Sequence, residues 1–259
     1  MNVRAEVRAF LAAARTLDRQ AVVVLVLAAV LAVLQVSIGD RDVYHALLGG
    51  RLTPDWDGLM GWGWWFAVQG VLGFVIPVAV LMLGFRRRPS EIGLGAGDVR
   101  FAGTLALIYL PLVALGTWVL SSRPDFQGNY PHYGAAAQHW PIFWAYEALF
   151  LFYWMGWEYL WRGFVLFGTA RALGFYAILV QALPFAAMHA QKPWPEAVLS
   201  VVGGVALGAL CWRARSFWIA VPIHSAQMLL LDLFCTLRTR TGVNGLGPAS
   251  FFELLRRMT

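Results

Sequence analysis

Predominantly apolar runs, separated by short polar segments, recur along the whole chain. They lie at about residues 20–38, 62–84, 101–120, 141–168, 172–190, 196–213 and 217–235. A helical crossing of a bilayer takes about 20 apolar residues, and each run approaches or exceeds that length. The pattern predicts an all-α, polytopic transmembrane helix bundle of about seven to eight helices. Nothing divides the runs into two domains, and no internal repeat is visible. The expected organisation is a basic amphipathic N-terminal segment (1–19), a membrane-embedded bundle (20–235) and a basic, amphipathic C-terminal tail (236–259).

Composition strengthens this reading. The 259 residues are 59% hydrophobic and 13% charged, whereas a soluble domain is roughly 45–50% apolar. The formal charge of +6 comes from arginine, which on a membrane protein points to juxtamembrane anchoring rather than nucleic-acid binding. Cys211 and Cys235 have neither metal-ligand spacing nor a secreted disulfide pattern, and read as packing residues.

Arginine placement predicts an N-terminus on the inner side. Arg4, Arg8, Arg15, Arg19, Arg86, Arg87, Arg88, Arg100, Arg171, Arg213 and Arg215 then face inward, against Arg41, Arg51, Arg123 and Lys192 outward. Residues 1–19 lack a cleavage site after the following apolar run, so they read as an orienting flank. The tail disagrees, because an odd span count leaves Arg238, Arg240, Arg256 and Arg257 outside. Either a span is miscounted or "FFELLRRM" lies along the membrane as an amphipathic helix. The expected setting is a bacterial-type inner membrane with a cytoplasmic N-terminus.

Ionisable residues at membrane depth usually face the bundle interior and are functional candidates. The stretch "YWMGWEYLWRGF" (153–164) holds Glu158 and Arg162 one helical turn apart, where they can pair. A structural ion pair that fixes helix register is the plain alternative. His189 and His224 follow in later runs, and Glu147 and Asp232 have no evident partner. Measured from the inner loops at 1.5 Å per residue, Glu158, His224 and His189 lie roughly 20, 14 and 27 Å deep. Tilted helices would bring these three together.

These motifs resemble the CPBP intramembrane proteases, related to the type II CAAX prenyl endopeptidases and the Abi proteins. That family's pattern is EExxxR, then FxxxH, then HxxxN or HxxxD, on separate helices. "WEYLWRG" matches the second glutamate, the arginine and the following glycine. "FAAMH" supplies Phe185 and His189, and "VPIH" supplies His224. "WRARSFWIA" resembles the short basic turn before the last motif, and "FRRRPSEIGLG" (85–95) a loop that precedes the family core, so the resemblance covers roughly 85–235. Two positions depart from the pattern. The first glutamate, the family's base, is Trp157, and the residue four after the last histidine is Met228. Gln227 and Asp232 are the nearest polar substitutes for the latter on the same helix.

The resemblance implies hydrolysis of a peptide bond in a membrane-anchored or lipid-modified protein, with the bilayer and that substrate as partners and no nucleic acid. In this scheme Glu158 takes a proton from water that His189 orients, His224 donates to the oxyanion, and Arg162 fixes the glutamate. The metal version is a zinc site built from His189, His224 and Glu158, with a fourth position for water; no HExxH supports it. A catalytically silent relative acting as a binding, immunity or scaffold protein is the other functional reading, and a small transporter or channel component the third.

Pro193 and Pro195 predict a restrained loop after His189, an interhelical turn or a gate. Glu196 reads as an N-terminal acid of the next helix. Gly204 and Gly208 have GxxxG spacing, suited to close packing inside the bundle. Trp62, Trp64, Trp65, Trp140 and Trp144 read as interfacial belts.

Overall fold

A computed structural model describes residues 2–258. The fold is all-α, with no strand among the described residues. The helices are α1 (Val3–Ala14), α2 (Arg19–Ile38), α3 (Arg41–Leu48), α4 (Pro54–Gly84), α5 (Val99–Leu120), α6 (Trp140–Glu158), α7 (Leu166–Leu173), α8 (Tyr176–Ala187), α9 (Trp194–Ala214), α10 (Ala220–Thr241) and α11 (Pro248–Met258). A π-helical segment, Tyr159–Val165, joins α6 to α7 without a break.

Among the described residues, five helices are long and apolar enough to cross a membrane: α2, α4, α5, α9 and α10. Their outer faces carry large bare apolar side chains. Leu83, Leu107 and Val202 are exposed by 79, 77 and 64%, an arrangement that water would penalise and lipid tails solvate. The expected span at 172–190 is different. It forms only the 12-residue helix α8, about 18 Å long against a hydrocarbon core of about 30 Å. His189 therefore stands in the turn after that helix, not within it. Pro193 stands at the N-cap of α9 and Pro195 in its first turn, where a missing N–H is tolerated.

Local chemistry explains the boundaries. Asp18 caps α2, its carboxylate accepting from Ala21 N at 2.8 Å. Pro54 occupies the first turn of α4, where a missing N–H is harmless. Farther along α4, two π segments, Val71–Val75 and Val80–Gly84, flank a short turn that contains Pro77. A proline removes one ladder donor, and the helix widens on both sides of it.

Helices α4 and α6 touch at glycine. A Cβ on Gly73 would lie 2.3 Å from Gly156 O, and one on Gly156 would lie 2.3 Å from Gln69 O. This close approach places Trp157 and Glu158, immediately after Gly156, in the middle of the bundle. Gly204 and Gly208 of α9 pack against α8, where Gln181 Nε2 donates to Gly204 O at 2.8 Å. Cys211 and Cys235 are both buried and unpaired.

The loop at 85–98 docks on the turn before α10. Phe217 N donates to Gly93 O (3.0 Å), Ser216 Oγ to Gly95 O (2.7 Å), Trp218 Nε1 to Leu94 O (3.0 Å) and Asp98 N to Ala214 O (2.8 Å). Two segments far apart in the chain thus fix the start of the helix that carries His224. At the other end of the chain, α1 has no buried residue. Helix α11 is amphipathic, with Leu254 fully buried and Phe252 67% exposed.

Candidate active site

The site is assembled from α6 with its π continuation, the end of α8 and the start of α10. Glu158 is the last α-helical residue before the π segment, and Arg162 lies inside it. Such local widenings re-aim side chains and are frequent at functional sites. Glu158 and Arg162 are both completely buried, and Arg162 Nη1 donates to Glu158 Oε1 at 3.2 Å. The same Oε1 lies 2.5 Å from His224 Nδ1. A carboxylate only accepts, so Nδ1 carries the hydrogen and Nε2 is left with its lone pair.

His189 is oriented by its own helix. Its Nδ1 lies 2.7 Å from Phe185 O, which fixes the same tautomer. Phe185 joins the parts: its ring lies 4.5 Å from that of His189, 6.0 Å from that of His224 and 4.0 Å below the Arg162 guanidinium. On the other side the Trp154 ring packs 4.2 Å from that of His224.

His189 and His224 line one cavity of about 650 Å³, together with Tyr153, Trp154, Trp157 and Met228. Glu158 and Arg162 do not line it; they lie behind His224. The four sequence-derived candidates are therefore brought together in two layers, the imidazoles in front and the ion pair behind. Trp157 stands at the cavity wall, 6.3 Å from the His189 ring.

A zinc ion would use the free Nε2 of each imidazole, but Glu158, the third ligand of the metal version, lies behind His224 and not on the cavity. Each imidazole has its Nδ1 engaged, and Glu158 Oε1 is held by two partners. Among the described residues, no group of three His, Cys, Asp or Glu side chains is placed to hold a metal.

Several other residues fall differently from expectation. Gln227 turns away, its Oε1 3.5 Å from the Tyr109 hydroxyl. Asp232 is fully buried near Glu147 and neither of its carboxyl oxygens makes a hydrogen bond, so neither Gln227 nor Asp232 substitutes for an asparagine at Met228. Trp62 and Trp65 also line the cavity. Glu196 lies in the first turn of α9 as expected of an acid, yet its Oε2 accepts from the Tyr130 hydroxyl at 2.5 Å and the residue also lines the cavity. Gln35, Arg41, Asn129, His132 and Lys192, which also line the cavity, carry no motif. They converge only through the tertiary fold.

The helical bundle thus holds a buried carboxylate–imidazole pair whose imidazole opens on a cavity. Residues 139–230 match the family model described as Type II CAAX prenyl endopeptidase Rce1-like. The match falls on the part of the chain that carries the motifs resembling the CPBP proteases. Among curated proteins none matches, and none among solved structures does.

Proposed function

We propose that the protein is an intramembrane endopeptidase that hydrolyses a peptide bond in a membrane-anchored or lipid-modified protein, with His224 as the proton acceptor. One observation carries this reading: His224 binds Glu158 through Nδ1 while its ring lines the cavity it shares with His189.

In the proposed reaction, a water lies between the two imidazoles. His189 Nε2 accepts one of its hydrogen bonds and orients it. His224 Nε2 removes a proton as the oxygen attacks the scissile carbonyl carbon. The Glu158 carboxylate stabilises the imidazolium that forms and holds its tautomer, the part an aspartate has in Ser-His-Asp sites. Arg162 in turn holds Glu158. Collapse of the tetrahedral intermediate breaks the C–N bond, and His224 returns its proton to the leaving amine. The base role thus moves from Glu158 to His224, because the carboxylate is already engaged and lies behind the ring. With this assignment, Trp157 in place of the family's first glutamate shapes the cavity wall without removing the base.

Reconstituted protein supplied with membrane-anchored peptides tests the reading. Cleavage by the wild type and its loss in His224→Ala are expected. Undiminished cleavage by His224→Ala would reject the assignment. A wild type that binds but never cleaves these peptides would favour the silent relative that Trp157 suggests.

A further inference from the structure

One end of the bundle collects arginines that the protein itself does not neutralise. The segments that carry them are tied together. Arg87 Nε donates to Gln20 Oε1 at 2.7 Å, and Gln20 Nε2 donates to Gly168 O at 2.7 Å. The loop at 85–98 docks on the turn before α10, and Arg213 Nη1 donates to Asp98 Oδ2 at 3.1 Å. The start of α2, the loop after α4, α7 and the turn before α10 therefore meet at one end. Arg86, Arg88, Arg100, Arg171 and Arg215 stand exposed there. Among the described residues none of the five has an ion pair. The acids close by are engaged inside the fold: Asp18 accepts from Ala21 N, Glu91 from Arg88 N, and Asp98 from Phe101 N and Arg213.

Two of these arginines occupy positions that favour glycine. Arg86 has a φ of 53°, and Arg215, the C-cap of α9, a φ of 56°. A side chain in the left-handed region costs backbone energy that glycine avoids. Arginine at both places keeps a guanidinium at the rim with no protein carboxylate to receive it. Its planar fork donates paired hydrogen bonds to phosphate oxygens.

Helix α1 extends the same chemistry. Val3, Val7 and Phe10 share one exposed face at helical spacing, and Arg4, Arg8 and Arg15 fall on the flank beside it. The link Arg15–Asp18 reaches at most about 14 Å even when extended. It leads directly into α2, which is long and apolar enough to cross a membrane. Helix α1 therefore starts at the membrane surface, where its apolar face has lipid to enter.

We propose that this end of the bundle is a receptor for the phosphate headgroups of anionic phospholipids, with α1 laid in the headgroup layer beside it. Charge complementarity selects this partner. The unpaired arginines stand at the ends of membrane-crossing helices, and an anionic headgroup supplies the negative charge that the chain lacks there.

The test uses full-length protein in phosphatidylcholine nanodiscs with a trace of spin-labelled lipid, at physiological ionic strength. Labelled phosphatidylglycerol should associate about tenfold more strongly than labelled phosphatidylcholine, read from the motionally restricted fraction. The double variant Arg86→Gly, Arg215→Gly suits both backbones, so its melting temperature in pure phosphatidylcholine is kept or raised. Its lipid preference should nevertheless fall to about twofold. Arg51→Gln, at the opposite end of α2, leaves the preference unchanged. Amide exchange of residues 3–14 should slow when phosphatidylglycerol is added to the disc, but not in the triple variant Arg4→Gln, Arg8→Gln, Arg15→Gln. Equal association of the two lipids overturns the proposal, as does a preference kept in full by the glycine variant. Exchange in α1 that ignores lipid composition overturns the placement of that helix. Displacement of labelled phosphatidylglycerol by millimolar inorganic phosphate would assign the arginines to a soluble anion and also overturn it.

Discussion

Arg162 and Arg238 are both fully buried in this bundle, yet their surroundings differ in kind. Arg238 has all its side-chain nitrogens satisfied. Nε donates to Ser121 Oγ (2.9 Å), Nη1 to Val243 O and Gly245 O (2.9 and 3.1 Å), and Nη2 to Trp118 O (3.1 Å). Its guanidinium also stacks 3.8 Å over Trp118. Arg162 has one bond, to Glu158, and its Nε and Nη2 make none; Glu158 Oε2 is likewise unpartnered. The first arginine clamps the segment after α10 onto the end of α5. The second supports an ion pair that leaves hydrogen-bonding capacity unused behind a cavity. A buried charge that only holds structure satisfies its donors, whereas sites that do chemistry tolerate groups that are not fully paired.

Four substitutions sharpen or break this contrast, taken from the largest expected effect downward. His224→Ala removes the proposed proton acceptor, and kcat for peptide cleavage is expected to fall about 10²–10⁴-fold with helicity by circular dichroism unchanged. Arg238→Met leaves carbonyl acceptors unpaired, and unfolding stability should drop by about 2–5 kcal/mol. Turnover per folded molecule should stay at the wild-type level; a loss of turnover would mean that both arginines serve the chemistry. Trp157→Glu places an acid on the cavity wall at the position of the family's first glutamate. If His224 acts as base, cleavage should change by less than about tenfold. A gain from no activity to measurable activity would instead mark the natural chain as silent.

The smallest effect concerns His132, which lines the cavity. Its folded pKa is pushed down to about 3 from 6.5 by burial, with Lys192 contributing. The unfolded chain therefore binds a proton at this residue first, and the stability it contributes is lost as pH falls from about 6.5 toward 3. In His132→Gln the drop in melting temperature between pH 7 and pH 4.5 should be smaller than in the wild type. Equal drops would place the ring in water.

Much of the architecture was legible as hydropathy, because long apolar helices repeat a simple length rule. The short α8 was not, since its twelve mostly apolar residues run on into Met188 and Ala190, interrupted only by His189. Only Pro193 and Pro195 mark where the next helix begins. The candidate chemistry was legible at Glu158, Arg162, His189 and His224 because charge at membrane depth is rare. Their layering was not: it depends on the π segment after Glu158 and on the Gly73–Gly156 contact, and neither has a periodic signature. Arg41 and Lys192 meet across a cavity from segments about 150 residues apart, and no local pattern connects them. Glu147 and Asp232 found each other in the same way, one on α6 and one on α10.

The most direct measurement is the single-turnover rate of peptide cleavage by Glu158→Gln, compared at equal folded amounts with the wild type and with the double variant Glu158→Gln, Arg162→Leu. The single change leaves a buried arginine unpaired and should also cost stability; the double change removes that penalty. If Glu158 holds His224 ready to accept a proton, cleavage stays about 10²-fold or more below wild type in both. Recovery of the wild-type rate in the double variant would contradict the account and leave Glu158 and Arg162 as a structural pair.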